Sequence, residues 1–292
     1  MRRRLVLGVS VLVLGCVPPA VVGSADALRK AGGRSPGHVC PLLPGTTRHE
    51  IQVDGVSRSY WLTVGPEAGR AGKAPLVFLW HGWGGRARQL ASVFDPAQVW
   101  PEAVTVTPFG LRRRFPGLPP GKMPGWQITA GEFGDRDLKL FDVLEGRMTG
   151  LSCIDASRLY SMGFSNGGFF SNLLGCQRSD VVAAIVPVSG GGPHPPTCKG
   201  PVAVQVVHGK WDRVVKYDEG KSSFETWQRI NGCEAAAADV AEGCVNAGGC
   251  SSEVRMCSFD GGHMWPRDLN GEFVNFLKRH RSPARGAKTA SE

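Results

Sequence analysis

Gly163-Phe164-Ser165-Asn166-Gly167 is the stretch of this chain that could turn a serine into a nucleophile. It follows a β-rich run, 158–162, and precedes a helix-like run, 168–176. G-x-S-x-G between a strand and a helix is a nucleophile elbow, a turn too tight for side chains at its two glycines. It lifts the serine hydroxyl clear of the sheet and sets it at a helix N-terminus, where free N–H groups and the helix dipole favour negative charge. The motif alone is weak in a chain with 40 glycines, and the strand–turn–helix context is what gives it meaning. The chemistry would be acyl transfer. A serine hydroxyl then needs a base within hydrogen-bond reach, and the base needs an orienting acid.

Around such an elbow the chain order is serine, acid, histidine, with each group at the carboxyl end of a strand. Asp212, in the turn 208–215 after an apolar run, and His263, in the glycine-flanked loop 260–266, satisfy both conditions. Glu225 falls on an expected helix, Asp180 follows a helix, and Asp260 sits too close to His263, where it suits a loop turn. His38, His49 and His280 lie near termini or in exposed segments, and His194 lies in a Pro-rich loop. His81 and His208 each form a His-Gly pair at a strand end, where histidine often serves structure. The oxyanion needs two donors: the backbone N–H of Asn166, just after the nucleophile, and one from the loop Trp80-His81-Gly82-Trp83-Gly84-Gly85, for which Trp83 N–H is expected. Trp83, Trp126, Trp211 and Trp265 are candidates to stack a substrate, with core packing as the alternative for each.

The elements that must position these groups alternate. A hairpin, 49–54 with 57–64, turns at Asp54-Gly55. Continuous apolar runs at 75–80, 103–107, 158–164, 181–188 and 202–207 read as strands buried on both faces. The alternating run 252–259 reads as a sheet-edge strand. Helices fit at about 135–149, 166–177, 218–231 and 268–280. The pattern implies an α/β fold, a mostly parallel sheet with helices on both faces. The loop 110–126, rich in Pro, Gly and Arg, is long enough to suggest a role at a site.

Composition bounds the rest. The 292 residues are 42% hydrophobic and 20% charged, which suits one globular domain and excludes global disorder. The basic residues Arg2–Arg4 followed by the apolar stretch Leu5–Gly15 read as an export signal too short to span a bilayer. Val13-Leu14-Gly15-Cys16 resembles a lipoprotein box with Cys16 lipidated, and cleavage after Ala25-Asp26-Ala27 is the alternative. Residues 1–16 are thus taken as signal, 17–36 as flexible leader, 37–281 as one domain and 282–292 as tail. Besides Cys16 there remain Cys40, Cys153, Cys176, Cys198, Cys233, Cys244, Cys250 and Cys257. Their even number in an exported chain implies disulfides, with on the order of a hundred full pairings open. Their spacing lacks the close pairs of a zinc site. The net charge of +9 forms no Lys/Arg stripe beyond Arg112–Arg114, so nucleic acid is a poor partner.

Together these residues resemble the secreted α/β-hydrolase esterases of carbohydrate esterase family 1, with feruloyl esterases and polyhydroxybutyrate depolymerase-like lipoproteins as the nearest groups. The likeness runs over roughly 37–281, through Phe78–Gly85, Cys153–Tyr160, Gly163–Gly168, Cys176–Asp180, His208–Asp212, Asn231–Cys233 and Phe259–His263. The resemblance implies the α/β-hydrolase fold, Ser165 as nucleophile, Asp212 as acid and His263 as base. It implies no metal or organic cofactor, an exported monomer, membrane association only through Cys16, and an ester substrate, with feruloyl or acetyl esters of plant polysaccharide expected first. It also implies Cys176 with Cys198, Cys233 with one of Cys244, Cys250 and Cys257, and Cys40 with Cys153. The chain departs from many relatives at Trp83-Gly84, where a tryptophan could narrow the acyl pocket. Polyester hydrolysis, acyl transfer to an alcohol acceptor, and a catalytically silent binding role are the competing readings.

Overall fold

The apolar runs of the sequence become the middle of a ten-stranded sheet. The computed structural model describes residues 41–114, 121–194, 198–241 and 243–282. Cys16, the expected signal and leader, Cys40, and residues 283–292 of the expected tail lie outside them. The strands are β1 (Gly45–Val53), β2 (Val56–Val64), β3 (Ala74–Trp80), β4 (Val104–Pro108), β5 (Leu111–Arg113), β6 (Met123–Gly125), β7 (Ile154–Phe164), β8 (Ala184–Val188), β9 (Ala203–Gly209), β10 (Ala235–Ala241), β11 (Cys244–Gly248) and β12 (Val254–Phe259). The helices are α1 (Ala87–Val93), α2 (Pro96–Val99), α3 (Arg136–Thr149), α4 (Asn166–Gln177), α5 (Tyr217–Ile230) and α6 (Asn270–Lys278).

The sheet order is β1-β2-β4-β3-β7-β8-β9-β12-β11-β10, with β5 and β6 forming a separate hairpin. The six strands from β4 to β12 run parallel, and antiparallel pairs close both ends. The β1–β2 turn takes the left-handed conformation at Asp54 (φ 48) and Gly55 (φ 76), the geometry that suits a two-residue hairpin. Two-residue alternation splits the central strands between two cores. Leu76, Phe78 and Trp80 join Phe141 of α3, Phe170 of α4 and Trp227 of α5. Val77 and Leu79 join Leu90 of α1 and Phe273 and Phe276 of α6. Both faces are covered, which is why these strands read as unbroken apolar runs.

One expectation is corrected. Residues 252–259 do not form the sheet edge, because β12 lies between β9 and the β10–β11 hairpin. That hairpin is built largely of alanine, glycine and short polar residues and carries little of the β-branched alternation that marks a strand. Disulfides join Cys176 to Cys198, Cys233 to Cys250 and Cys244 to Cys257, the last across the β11–β12 pair. Cys153 is also disulfide-bonded. Arg58 of β2 and Asp137 of α3 form a buried ion pair at 3.0 Å that ties the end of the sheet to a helix.

The ordered chain continues past 281. Ser282, expected in the tail, is fully buried, and its N–H donates to Ser157 O at 2.8 Å. The same corner holds Asp155, which accepts from Ser157 Oγ (2.6 Å), Arg158 Nε (2.7 Å) and Arg281 Nη1 (2.9 Å). Burial pushes the Asp155 carboxyl up, but these hydrogen bonds together outweigh it and hold it at about 2. A folded-state value below the unfolded one means that the unfolded chain binds more protons, so this contribution is complete above pH ~4 and is lost as pH falls toward 2. Urea denaturation midpoints should therefore fall across that window, and Asp155→Asn should flatten the decline.

Candidate active site

The site begins with a steric demand. β7 and α4 cross so closely at Ser165 that a Cβ on Gly163 would lie 2.1 Å from Gly167 O, and one on Gly167 would lie 2.0 Å from Trp80 O. No residue but glycine fits at either position. Ser165 is left at φ 53, ψ −119, an unfavourable conformation for a residue with a side chain. The turn projects its hydroxyl from the carboxyl edge of β7 at the head of α4.

Ser165 Oγ lies 2.8 Å from His263 Nε2, and His263 Nδ1 lies 2.7 Å from Asp212 Oδ2. The three groups come from the ends of β7, β12 and β9, in the chain order expected. Asp212 is buried, and its Oδ1 accepts from the N–H groups of Val214 and Val215, both at 2.9 Å. The carboxylate is thus fixed by its own turn while its second oxygen faces the imidazole. His208 lies behind it, with Nε2 3.5 Å from Asp212 Oδ2 and 2.9 Å from Val215 O. A carbonyl accepts only, so Nε2 carries the hydrogen. Burial pushes the His208 pKa down, which keeps the ring neutral beside the carboxylate.

The loop after β3 lies against Ser165. A Cβ on Gly82 would stand 3.3 Å from Ser165 Cβ. This loop is held from the far side by the β5–β6 hairpin and its flanks. Gly110 N–H donates to His81 Nε2 (3.0 Å), so the ring hydrogen sits on Nδ1 and points to Gly82 O at 2.8 Å. Gly84 N–H donates to Pro124 O (2.8 Å), Trp83 Nε1 to Arg113 O (3.3 Å) and Trp126 Nε1 to His81 O (2.8 Å). Asn166 is tied to the same hairpin by both ends of its amide: Oδ1 accepts from Trp126 N–H (2.7 Å) and Nδ2 donates to Trp126 O (3.0 Å). Arg113 also donates to Trp126 O and pairs with Glu132 at 2.8 Å.

The tryptophan expectations separate here. Trp126 takes the core-packing alternative: it is fully buried and absent from the cavity wall, with its ring against Trp80 and Phe170. Trp211 is 68% exposed and lies outside the cavity wall. Trp265 lines the cavity but is mostly buried, its Nε1 held by Asn270 Oδ1 at 2.8 Å. Trp83 lines it as well. The cavity holds about 470 Å³, within the usual range for small-molecule sites, and opens over Ser165 and His263. Phe164, Leu90, Val93 and Trp265 give it apolar walls. Sequence reasoning missed Arg86, Gln89 and Arg267, which also line it. A basic residue just beyond Gly85 and another just beyond the loop that carries His263 were the available signals.

A large parallel sheet flanked by helices, with this elbow at its carboxyl edge, is the α/β-hydrolase fold of esterases, and solved structures agree. An acetyl xylan esterase from Aspergillus awamori superposes with a TM-score of 0.60 at 13% identity, over 79% of this chain and 99% of that one. Esterase PE8 gives 0.56 at 20% identity, over 75% and 96%. No protein-family model matches the chain. Among curated proteins, the probable feruloyl esterase C of Aspergillus niger is 30% identical over 246 residues, 80% of this chain and 84% of its own length. Feruloyl esterase D of Neurospora crassa is 29% identical over 242 residues, 78% and 79%. The chain belongs to the feruloyl esterase family, and it is an esterase.

If Trp126 braces the oxyanion loop rather than walling the pocket, Trp126→Phe should cost roughly 1–3 kcal/mol in urea denaturation, because His81 O loses its buried donor. Trp211→Ala, at an exposed site, should stay within about 0.5 kcal/mol of the parent.

Proposed function

We propose that this esterase acts through Ser165, His263 and Asp212 on feruloyl or acetyl esters of plant polysaccharide, outside the cell. The observation that carries the reading is the imidazole of His263, bridged at 2.8 Å to Ser165 Oγ and at 2.7 Å to Asp212 Oδ2. His263 Nε2 takes the hydroxyl proton as Ser165 Oγ attacks the ester carbonyl. The carbonyl oxygen becomes an oxyanion between the N–H groups of Trp83 and Asn166. Collapse expels the alcohol, which receives the proton from His263. Water then attacks the acyl-enzyme by the same route and releases the acid. Asp212 holds the imidazole in the tautomer with hydrogen on Nδ1 and stabilises its protonated form.

The substrate class rests on the relatives named feruloyl esterase, supported by the cavity's apolar walls, which suit an aromatic acyl group. Export rests on the sequence's N-terminal signal pattern and on disulfides, which persist in oxidising compartments. Anchoring at Cys16 remains part of the proposal and concerns residues outside the described ones. A second reading, polyester hydrolysis, has its own support: Val214 (58%), Met264 (53%) and Trp211 (68%) stand exposed on the two adjoining loops that carry Asp212 and His263. An apolar lip of this kind suits an apolar polymer.

Methyl ferulate, acetylated xylan and a 3-hydroxybutyrate oligomer should be compared as substrates, with 4-nitrophenyl acetate as reference. Ferulate or acetyl-xylan is expected to turn over best, with Ser165→Ala reduced by roughly 10⁴–10⁶-fold and Asp212→Asn by about 10⁴-fold. Turnover of the hydroxybutyrate oligomer alone would replace the first reading by the second. Unchanged rates in Ser165→Ala would dismiss the triad.

A further inference from the structure

The cavity's charge is lopsided. Apart from the imidazoles of His81 and His263, the ionisable side chains that line it are Arg86 and Arg267, and no carboxylate does. Asp212 is enclosed behind His263. Several other arginines of the fold are met by carboxylates: Arg58 by Asp137, Arg113 by Glu132, Arg178 by Asp142 and Arg255 by Glu272. Among the described residues the guanidiniums of Arg86 and Arg267 have neither an ion pair nor a hydrogen-bond partner. Arg86 follows the loop that lies over Ser165, and Arg267 follows the loop that carries His263, so two loops of the site each bring an arginine to the same cavity. Leu90, Val93 and Trp265 lie beside them as low-dielectric wall.

Arg86 and Arg267 are both exposed at the rim of one apolar cavity, where two cations without counter-ions repel each other through partly screening solvent. An anion bound by both relieves that repulsion. The guanidinium fork matches a carboxylate in particular, which it can hold by two parallel hydrogen bonds. We propose that Arg86 and Arg267 form a carboxylate subsite, so that the esters this protein prefers carry a free carboxylate near the scissile bond. Two sources share that chemistry: an acyl group that is the half-ester of a diacid, or an alcohol that is a uronate unit of an acidic polysaccharide. In both the reaction is the hydrolysis described above, and the carboxylate only binds. The inference rests on the proposed triad; the uronate source narrows the proposed polysaccharide esters to acidic ones, and the half-ester source replaces the acyl group proposed above.

The test compares matched esters on the full chain at low salt. In the first pair, 4-nitrophenyl hemiglutarate is set against 4-nitrophenyl butyrate. In the second, acetylated oligogalacturonate is set against acetylated xylo-oligosaccharide. The readout is the ratio of kcat/KM, anionic over neutral. A ratio raised roughly fivefold is expected in one pair, mainly through KM, as two partly solvated guanidinium–carboxylate contacts would give. It should fall to parity in Arg86→Gln/Arg267→Gln and at about 0.5 M salt. Preference in the first pair assigns the carboxylate to the acyl side, and preference in the second to the alcohol side. Parity in both pairs, or a preference that survives the double substitution, overturns the subsite. Failure of the triad has a different signature: Ser165→Ala would cleave the neutral esters as fast as the parent.

Discussion

The close crossing of β7 and α4 is the constraint on which the rest of the site depends. Three backbone segments meet there, at Gly163, Gly167 and Trp80, with no room for a single extra carbon. That approach puts Ser165 at a positive φ, a conformation costing on the order of 1–3 kcal/mol, so the surroundings must over-determine it. They do so through ordinary secondary structure. Ser165 N–H donates to Val188 O at the end of β8 (2.8 Å), and its own carbonyl accepts from Phe169 N–H in the first turn of α4 (3.1 Å). The strain is therefore held by a strand on one side and a helix on the other, both fully cored.

Around that point the polar groups are arranged so that few of them can move independently. Two buried histidines, His81 and His208, flank the centre, and burial pushes the pKa of each down. Held neutral, each offers one donor and one acceptor. His81 uses both, joining Gly110 N–H to Gly82 O. His208 uses its donor on Val215 O, and its Nδ1 finds no partner where Gly220 packs against it. A charged ring at either place would face desolvation with no buried anion to spare, since Asp212 is already engaged. The β5–β6 hairpin completes the arrangement. Trp126 ties its backbone to the amide of Asn166 and its indole to His81 O, so the two segments proposed to bind the oxyanion share one support.

What the sequence could disclose follows from how local each signal is. The elbow and the order of Ser165, Asp212 and His263 were legible because their geometry is carried by neighbouring glycines and by position at strand ends. The central strands were legible because burial on both faces leaves unbroken apolar runs, and α4 was recovered at 166–177, its observed limits. The β10–β11 hairpin was not, because its register is set by partners and by the Cys244–Cys257 bridge rather than by its own residues. In the sequence the role of Trp126 stays open between stacking a substrate and packing in the core for a related reason. A tryptophan in a loop rich in Pro and Gly looks like a binding residue, and only the fold reveals that the loop turns inward against Trp80 and Phe170. Arg86 and Arg267 are nearly two hundred residues apart and share a cavity only after folding.

The sheet also acts as a ruler. β7, β8, β9 and β12 are consecutive neighbours, so the strand that delivers Ser165 and the one that delivers His263 stand three spacings apart, about 14 Å. Yet the two side chains meet at 2.8 Å. Asp212 needs less reach, since its strand is paired in register with the one before His263, Gly209 opposite Phe259. The span from Phe259 to His263 is therefore a fixed length of chain doing the work of a tether across two strands. Its glycines, Gly261 and Gly262, press so closely on Gly209 that a methyl group there would meet both carbonyls at 2.5 Å. Loop length here matters to the arrangement as much as residue identity: a shorter loop would keep Ser165, Asp212 and His263 in the chain and draw the imidazole away from the hydroxyl it now meets at 2.8 Å.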